Sequence, residues 1–551
     1  MLAGCTPWPP ETALRYREQG IWRGETLGTV LRAAAREYGS ATALVHGERR
    51  ISYRELDDWA DRLAAGFVEH GVRADDRIVV QLPNVPEFVA ISFALMRIGA
   101  KLVFSLPAHR ETEIGHLVEL SGATGYVLPE THRGFDHREI ARTVQAGSST
   151  LRSLFVLGDK SEGFTALSEL ENAVADPRPL PEPDPSDVAF FLLSGGTTAL
   201  PKLIPRTHDD YVYQAGRAAE VCELTSADTY LAVLPIEFNF AYGCPGVIGT
   251  LMTGGTAVLA DTPNPLDCFP LVERHRATVT AMVPSIVQLW LEAAEWSGED
   301  LGSLRLVQVG GARMTREFTE RIGPTLGCSL QQVFGMAEGL LTFSRPGDPA
   351  EAVLTTQGRP ISEADEVRIV DGDGAELPPG AVGELITRGP YTLRGYYGVP
   401  EYNRRAFTAD GFYRTGDLAR LTEDGDLVIE GRIKEMIIRG GDKVSAGEVE
   451  DHLLALDGIA AAAVIGVPDP FLGERICAYL VPDGPDGPDG PDGPGGARRS
   501  LPELKQAVHA RGVADYKLPD AVRYVSELPL TPLGKVDKKA LAAAAASEQE
   551  G

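Results

Sequence analysis

The chain has 551 residues, 43% of them hydrophobic and 24% charged, with a formal net charge of −26. That is the composition of a soluble globular protein of several domains. Its acidic balance argues against nucleic acid or an anionic membrane surface as partner, while leaving room for a nucleotide held by a local cluster of cations. Six cysteines (Cys5, Cys222, Cys244, Cys268, Cys328 and Cys477) are scattered without a C-x-x-C pair, which points to reduced thiols in a cytoplasmic protein. No apolar run reaches the roughly 18 residues of a membrane span. Met1-Leu2-Ala3-Gly4-Cys5 lacks the basic and apolar segment that precedes a lipoprotein cleavage box.

Short apolar runs alternate with helical patterns over the first 430 or so residues, the habit of α/β units. Residues 77–82 read as a strand, 87–98 as a helix with Phe88, Ile91, Leu95 and Ile98 on one face, and 101–106 as the next strand. The pattern returns with strands at 257–260, 277–283 and 304–309 and a helix near 269–275. From Glu366 to Arg388, Asp-Gly and Pro-Gly turns predict antiparallel hairpins. A smaller unit begins near Arg432. It contains Pro-Asp-Gly triplets from Pro482 to Gly493, a tract too poor in apolar residues to pack, read as a solvated loop between a strand (476–481) and a helix (501–511).

The stretch most charged with chemistry is Ser194-Gly195-Gly196-Thr197-Thr198-Ala199-Leu200-Pro201-Lys202, which follows the apolar run 189–193. Glycines let backbone N–H groups turn inward, the threonines add hydroxyl donors and Lys202 adds a mobile positive charge, so the loop is suited to wrapping phosphates. It is not a Walker A loop, because Pro201 precedes the lysine and no Gly-Lys-Ser/Thr ending is present.

Further along come Phe334-Gly335-Met336-Ala337-Glu338, Gly383-Glu384, Tyr413-Arg414-Thr415-Gly416-Asp417, Gly431-Arg432, Arg439-Gly440-Gly441-Asp442-Lys443 and Leu530-Thr531-Pro532-Leu533-Gly534-Lys535. This ordered set resembles the adenylate-forming superfamily of acyl-CoA synthetases, peptide-synthetase adenylation domains and luciferases. Three longer stretches (202–211, 330–339 and 388–397) are most similar to stand-alone aryl-acid adenylating enzymes, the salicylate–AMP and 2,3-dihydroxybenzoate–AMP ligases. The resemblance covers essentially the whole chain. It implies a large α/β core (1–433) of two layered sheets plus a distorted β-barrel, and a small mobile α+β lid (434–551). It also implies ATP, Mg²⁺ and a pantetheine thiol, on a carrier protein or on CoA, as the reaction's partners.

The resemblance assigns roles as well. Lys535 bridges the carboxylate and the α-phosphate, with Lys202 and Thr197 serving the phosphates. Ser194, Gly195, Gly196, Thr198, Gly335, Met336 and Ala337 border the nucleotide. Glu338 holds Mg²⁺, while Asp417, assisted by Arg432, accepts the ribose hydroxyls. Gly311, Ala312, Val333 and Phe334 wall the adenine. Lys434 is the hinge, and Gly440, Gly441 and Lys443 face the thiol once the lid has turned. In this loop Ala199 stands where the family usually has glycine, and Ala337 replaces a threonine common in the wider superfamily.

For the acid, Phe238-Asn239 stands where amino-acid-activating relatives carry an aspartate after an aromatic residue. A neutral amide does not offset the desolvation of a buried ammonium, but it can hydrogen-bond the carboxylate and an ortho hydroxyl of an aryl acid. Cys244 and Leu341 match the salicylate enzymes, where the dihydroxybenzoate enzymes tend to Ser and Val. Phe238, Phe240 and Glu237 depart from the usual His, Tyr and small residue, which keeps a substituted or bicyclic 2-hydroxyaryl acid in play beside salicylate and 2,3-dihydroxybenzoate. The rivals from other classes are a non-catalytic acyl-adenylate binder and a medium-chain acyl-CoA synthetase.

Overall fold

The computed structural model describes residues 1–172, 182–194, 201–312, 314, 316–439, 442–469, 472–483, 498–511, 513, 515–531 and 534–547. Two large, mainly parallel sheets dominate it. In the seven-stranded sheet the order is Leu203–Thr207, Val188–Leu193, Lys101–Phe104, Arg77–Val80, Gly125–Pro129, Ser153–Leu157, Thr165–Ala166. In the nine-stranded sheet Ser329–Met336, Leu306–Gly310, Val279–Met282, Thr229–Ala232, Thr256–Leu259 and Thr42–His46 run parallel, and hairpin strands finish both edges.

The helix Pro86–Arg97 explains how the sheets are joined. Eleven of its twelve residues are buried, so the single apolar face read from the sequence is in fact apolar nearly all round. One hydrophobic cluster takes in this helix together with residues of both sheets, Leu44 and Leu231 from one and Leu102 and Phe190 from the other. The charged end of the helix is held by Arg97, whose guanidinium pairs with Asp57 and with Asp61.

Glu366–Val370, Gly383–Arg388, Tyr413–Leu421 and Leu427–Arg432 form an antiparallel four-stranded sheet. The expected barrel is therefore an open path among the described residues, with no pairing that closes its first strand on its last. A separate C-terminal sheet orders Asp442–Ser445, Met436–Arg439, Gly473–Pro482 and Ile459–Asp469, with Ala521–Tyr524 beside Gly473–Pro482. It has its own apolar clusters on its two faces, around Val464 and around Tyr479. The Pro-Asp-Gly tract from 484 onward lies outside the described residues, between the strand Gly473–Pro482 and the helix Leu501–His509. No described helix is long and apolar enough to cross a membrane, and none of the six cysteines is in a disulfide.

Candidate active site

Parallel strands converge their carboxyl ends on one crevice, the usual place for a ligand in an open α/β sheet. Ser194 follows Val188–Leu193, Gly311 follows Leu306–Gly310, Glu338 follows Ser329–Met336, and Asn239 comes soon after Thr229–Ala232. The ends of the glycine loop are pinned together: Ser194 N donates to Lys202 O at 2.9 Å, and Lys202 N donates to Ser194 Oγ at 3.0 Å. Gly195, Gly196, Thr197, Thr198 and Ala199 lie outside the described residues. The Lys202 ammonium stands 4.3 Å from the Tyr402 ring centroid and 5.6 Å from that of Tyr396, held over aromatic faces rather than spread on the surface.

At the end of Leu306–Gly310, Gly311 takes φ +90°, a left-handed backbone that only glycine adopts without strain. A Cβ there would approach Val283 Cγ1 at 3.2 Å and Lys535 Cε at 3.5 Å, so the glycine makes room for the lysine. Lys535 comes from the far end of the chain. Its loop is docked by Ser285 Oγ, which donates to Gly534 O at 3.0 Å. Ala312 is exposed beside it, while Val333 is buried and Phe334 half-buried on the neighbouring strand. Arg432 and Asp417 face each other across adjacent strands with Nε to Oδ1 at 2.9 Å, the carboxylate buried and the guanidinium exposed. Lys535 opens to the crevice, yet protein crowds it. Desolvation and then the nearby Arg432 cation lower its pKa.

Glu338 is buried, and desolvation raises its carboxyl above the ordinary range; the Tyr396 hydroxyl donates to its Oε1 at 2.7 Å and meets the Tyr413 hydroxyl at 2.8 Å. The described residues hold no cluster of three or more His, Cys, Asp and Glu able to cage a metal. A lone hard carboxylate therefore fits Mg²⁺, which keeps few protein ligands and takes its other oxygens from phosphates and water.

Asn239 is buried at the start of the short helix Asn239–Gly243. Its Oδ1 accepts from Tyr211 Oη and from Gln214 Nε2, each at 3.0 Å, and its Nδ2 donates to Met336 O at 3.3 Å. With two bonds already accepted at Oδ1, the amide has a donor left on Nδ2. Phe240 packs against Gly310, where a Cβ would stand 3.3 Å from the ring, and Phe238 is half-buried. Cys244 is buried and burial pushes its thiol well above the usual range, so it stays uncharged. Leu341 pairs with Gly335, where a Cβ would meet Leu341 Cδ2 at 2.5 Å.

Sequence reasoning passed over several residues that the fold brings to this place. Tyr396 and Arg206 sat inside stretches read only for their likeness to a family, and Tyr413 headed the Asp417 motif. Gln214 carries no local signal, being a polar residue within a helix, His208–Val221. Glu237, noted only as unusual, is buried beside Phe238 with neither carboxyl oxygen hydrogen-bonded, and burial raises its pKa to about 8. Gly440, Gly441 and the side chains of Lys434 and Lys443 lie outside the described residues; Lys443 is in the strand Asp442–Ser445 of the C-terminal sheet.

A lysine that follows a separate small sheet and lies against the carboxyl end of a strand of a large parallel one fits an adenylate-forming ligase. The chain belongs to the AMP-binding enzyme family: residues 31–397 match its model, and residues 448–535 match that of the AMP-binding enzyme C-terminal domain. It is 49% identical to a 2,3-dihydroxybenzoate-AMP ligase of Bacillus subtilis (strain 168), over 98% of this chain and 97% of that one. It is 46% identical to a salicylyl-CoA synthase / salicylate adenylyltransferase of a Streptomyces species, over 98% and 97%. Among solved structures, apo MbtA of Mycobacterium smegmatis is 45% identical with a TM-score of 0.75, covering 98% of this chain and 99% of that one.

Proposed function

We propose that this enzyme joins a 2-hydroxyaryl carboxylic acid, salicylate first among them, to AMP and then passes the acyl group to a pantetheine thiol. The observation that supports the reading is that Lys535 lies against Gly311 and near the Asp417–Arg432 pair. Residues 1–433 serve as the core and 434–551 as the lid.

An acid oxygen attacks the α-phosphorus while the bond to the pyrophosphate oxygen breaks, and two anions have to meet. Lys535 supplies fixed positive charge where negative charge develops, the kind of preorganised stabilisation that dominates many enzymatic rates. Lys202, Thr197, Thr198, Ser194, Gly195 and Gly196 hold the phosphates, and Asp417 with Arg432 holds the ribose. Glu338 is the residue that would hold Mg²⁺, which neutralises phosphate charge when bound. The lid then turns about Lys434, so that Gly440, Gly441 and Lys443 meet the thiol, which displaces AMP to leave a thioester. The acceptor is a carrier protein or CoA, and cysteines held in no disulfide fit a cytoplasmic setting.

Cys244 and Leu341 favour salicylate: a neutral thiol is a weak partner for a 3-hydroxyl, and the leucine fills that volume. Two observations keep other acids as a second reading. One relative is a dihydroxybenzoate ligase, and Phe238 and Phe240 make the pocket apolar enough for a bicyclic acid. ATP–pyrophosphate exchange across a panel of aryl and aliphatic acids is the test. Exchange restricted to aliphatic acids, or absent with every acid, would sink the proposal.

A further inference from the structure

Behind the acid pocket runs a buried chain of hydrogen bonds whose direction is fixed at its far end by chemistry. Arg206 has no exposed surface. Its Nε donates to Asp210 Oδ1 at 2.9 Å, its Nη1 to Ala337 O at 3.2 Å, and its Nη2 to Gln214 Oε1 at 2.8 Å. A guanidinium has only donors, so the oxygen of Gln214 is the end that faces it. The Gln214 amide nitrogen then points the other way, donating to Gly243 O at 3.1 Å and to Asn239 Oδ1 at 3.0 Å. Gly243 O is an acceptor only, which fixes the same orientation independently.

Asn239 inherits that direction. Turned over, its amide would set Nδ2 against the Gln214 donor and Oδ1 against the carbonyl of Met336, one donor–donor and one acceptor–acceptor contact. Such unmade bonds cost more than the bonds themselves contribute. In the observed orientation one Nδ2 proton goes to Met336 O, and the second has no partner among the described residues.

We infer that Gln214 sets the polarity of the acid pocket: by holding Asn239 with an N–H toward the acid, it makes the enzyme select acids that carry a hydrogen-bond acceptor ortho to the carboxyl group. A phenolic oxygen qualifies, and so does a ring nitrogen, whereas an ortho amino group turns an N–H against an N–H. Gln214 touches no substrate; it is a positioning residue. The inference rests on the aryl-acid reading above and narrows it.

Pyrophosphate exchange with five acids tests it: benzoate, salicylate, 2-aminobenzoate, pyridine-2-carboxylate and pyridine-3-carboxylate. Salicylate should exceed benzoate, and the 2-pyridine acid its 3-isomer, by roughly tenfold in kcat/KM, about the worth of one hydrogen bond. The amino acid analogue should fall below benzoate. Gln214→Glu offers Asn239 an acceptor in place of a donor, and should shrink the salicylate to 2-aminobenzoate ratio by roughly tenfold while ATP binding stays unchanged. Gln214→Leu should shrink it part of the way. Folded variants that keep the wild-type ratio, or equal rates for the two pyridine isomers, overturn the assignment. Should neither variant fold, the isomer pair in wild type decides alone. Exchange with no aryl acid would mean that the proposed function has failed; exchange at like rates with all five would mean that only the role of Gln214 has.

Discussion

The floor of the acid pocket and the rim of the nucleotide crevice use the same kinds of polar side chain under opposite terms. On the floor, Arg206 and Gln214 have no exposed surface, and both are tied to other parts of the chain by several hydrogen bonds. At the rim, Arg432 and Lys535 are exposed, Lys535 lies close enough to Arg432 for the two cations to repel, and Glu338 is a carboxylate that burial disfavours. A floor whose Arg206 and Gln214 are bonded without substrate fixes geometry before anything binds. A rim of incompletely matched charges is relieved when phosphates and an acid arrive. Stability should therefore be stored in the first and activity in the second.

The contrast is broken most directly at Arg206. Arg206→Met strands the buried Asp210 carboxylate, and the loss should be about 3–5 kcal/mol in a urea unfolding curve. A loss below about 1 kcal/mol would mean that the floor is no stability element. At the rim, Lys535→Ala should do the reverse. Aryl-AMP formation should drop by roughly 10²–10³, while the unfolding midpoint barely moves. On the proposed turning of the lid, thioester formation from preformed aryl-AMP should survive; equal collapse of both half-reactions would contradict it.

Glu237 sharpens the comparison, because it is a buried group that neither region satisfies. Its folded pKa of about 8 lies above the ordinary 4.5, so the unfolded chain releases this proton first as pH rises. Between those values each pH unit should remove at most about 1.4 kcal/mol from wild type, a penalty that levels off above pH 8 and is absent below 4.5. Glu237→Gln should abolish this slope; parallel stability–pH curves for the two proteins would show that the carboxyl finds a partner. The smallest effect is expected from deleting residues 484–493. Shortening a connection changes its closure entropy by only about 0.6 kcal/mol per halving, and adenylation should be unchanged. A large drop in exchange rate would place that tract at the crevice.

These regions also differ in how legible they were in the sequence. The rim was readable because each of its members is one residue in a short motif with its own chemistry, as Asp417, Glu338 and Lys535 are. The strands read at 77–82, 101–106, 257–260 and 304–309 lie within a few residues of their places, whereas Ser329–Met336 and Tyr413–Leu421, beside Glu338 and around Asp417, were not read, and Lys535 is on no described strand. The floor was not readable, because its meaning resides in contacts among Arg206, Gln214, Asn239 and Met336, which come from four separate segments. No spacing in the chain announces such contacts. The same limit explains the helix Pro86–Arg97: a periodicity found one apolar face, whereas a second sheet pressed against the opposite side and buried nearly all of it. The antiparallel hairpins were legible in the Asp-Gly and Pro-Gly turns, and of the barrel that the resemblance implies the described residues show a four-stranded sheet in open order.

A guanidinium that can only give protons has a consequence for anyone reshaping this pocket. Wall positions such as Phe238, Phe240, Cys244 and Leu341 change the volume and apolar character offered to a ring, and a library built on them will sort acids by size. None of them reverses the sense of the Asn239 amide, which is dictated two hydrogen bonds away by Arg206 through Gln214. A search for variants accepting donor-bearing acids has to mutate the interior first and the walls second, or it will sample shapes around an unchanged electrical sign.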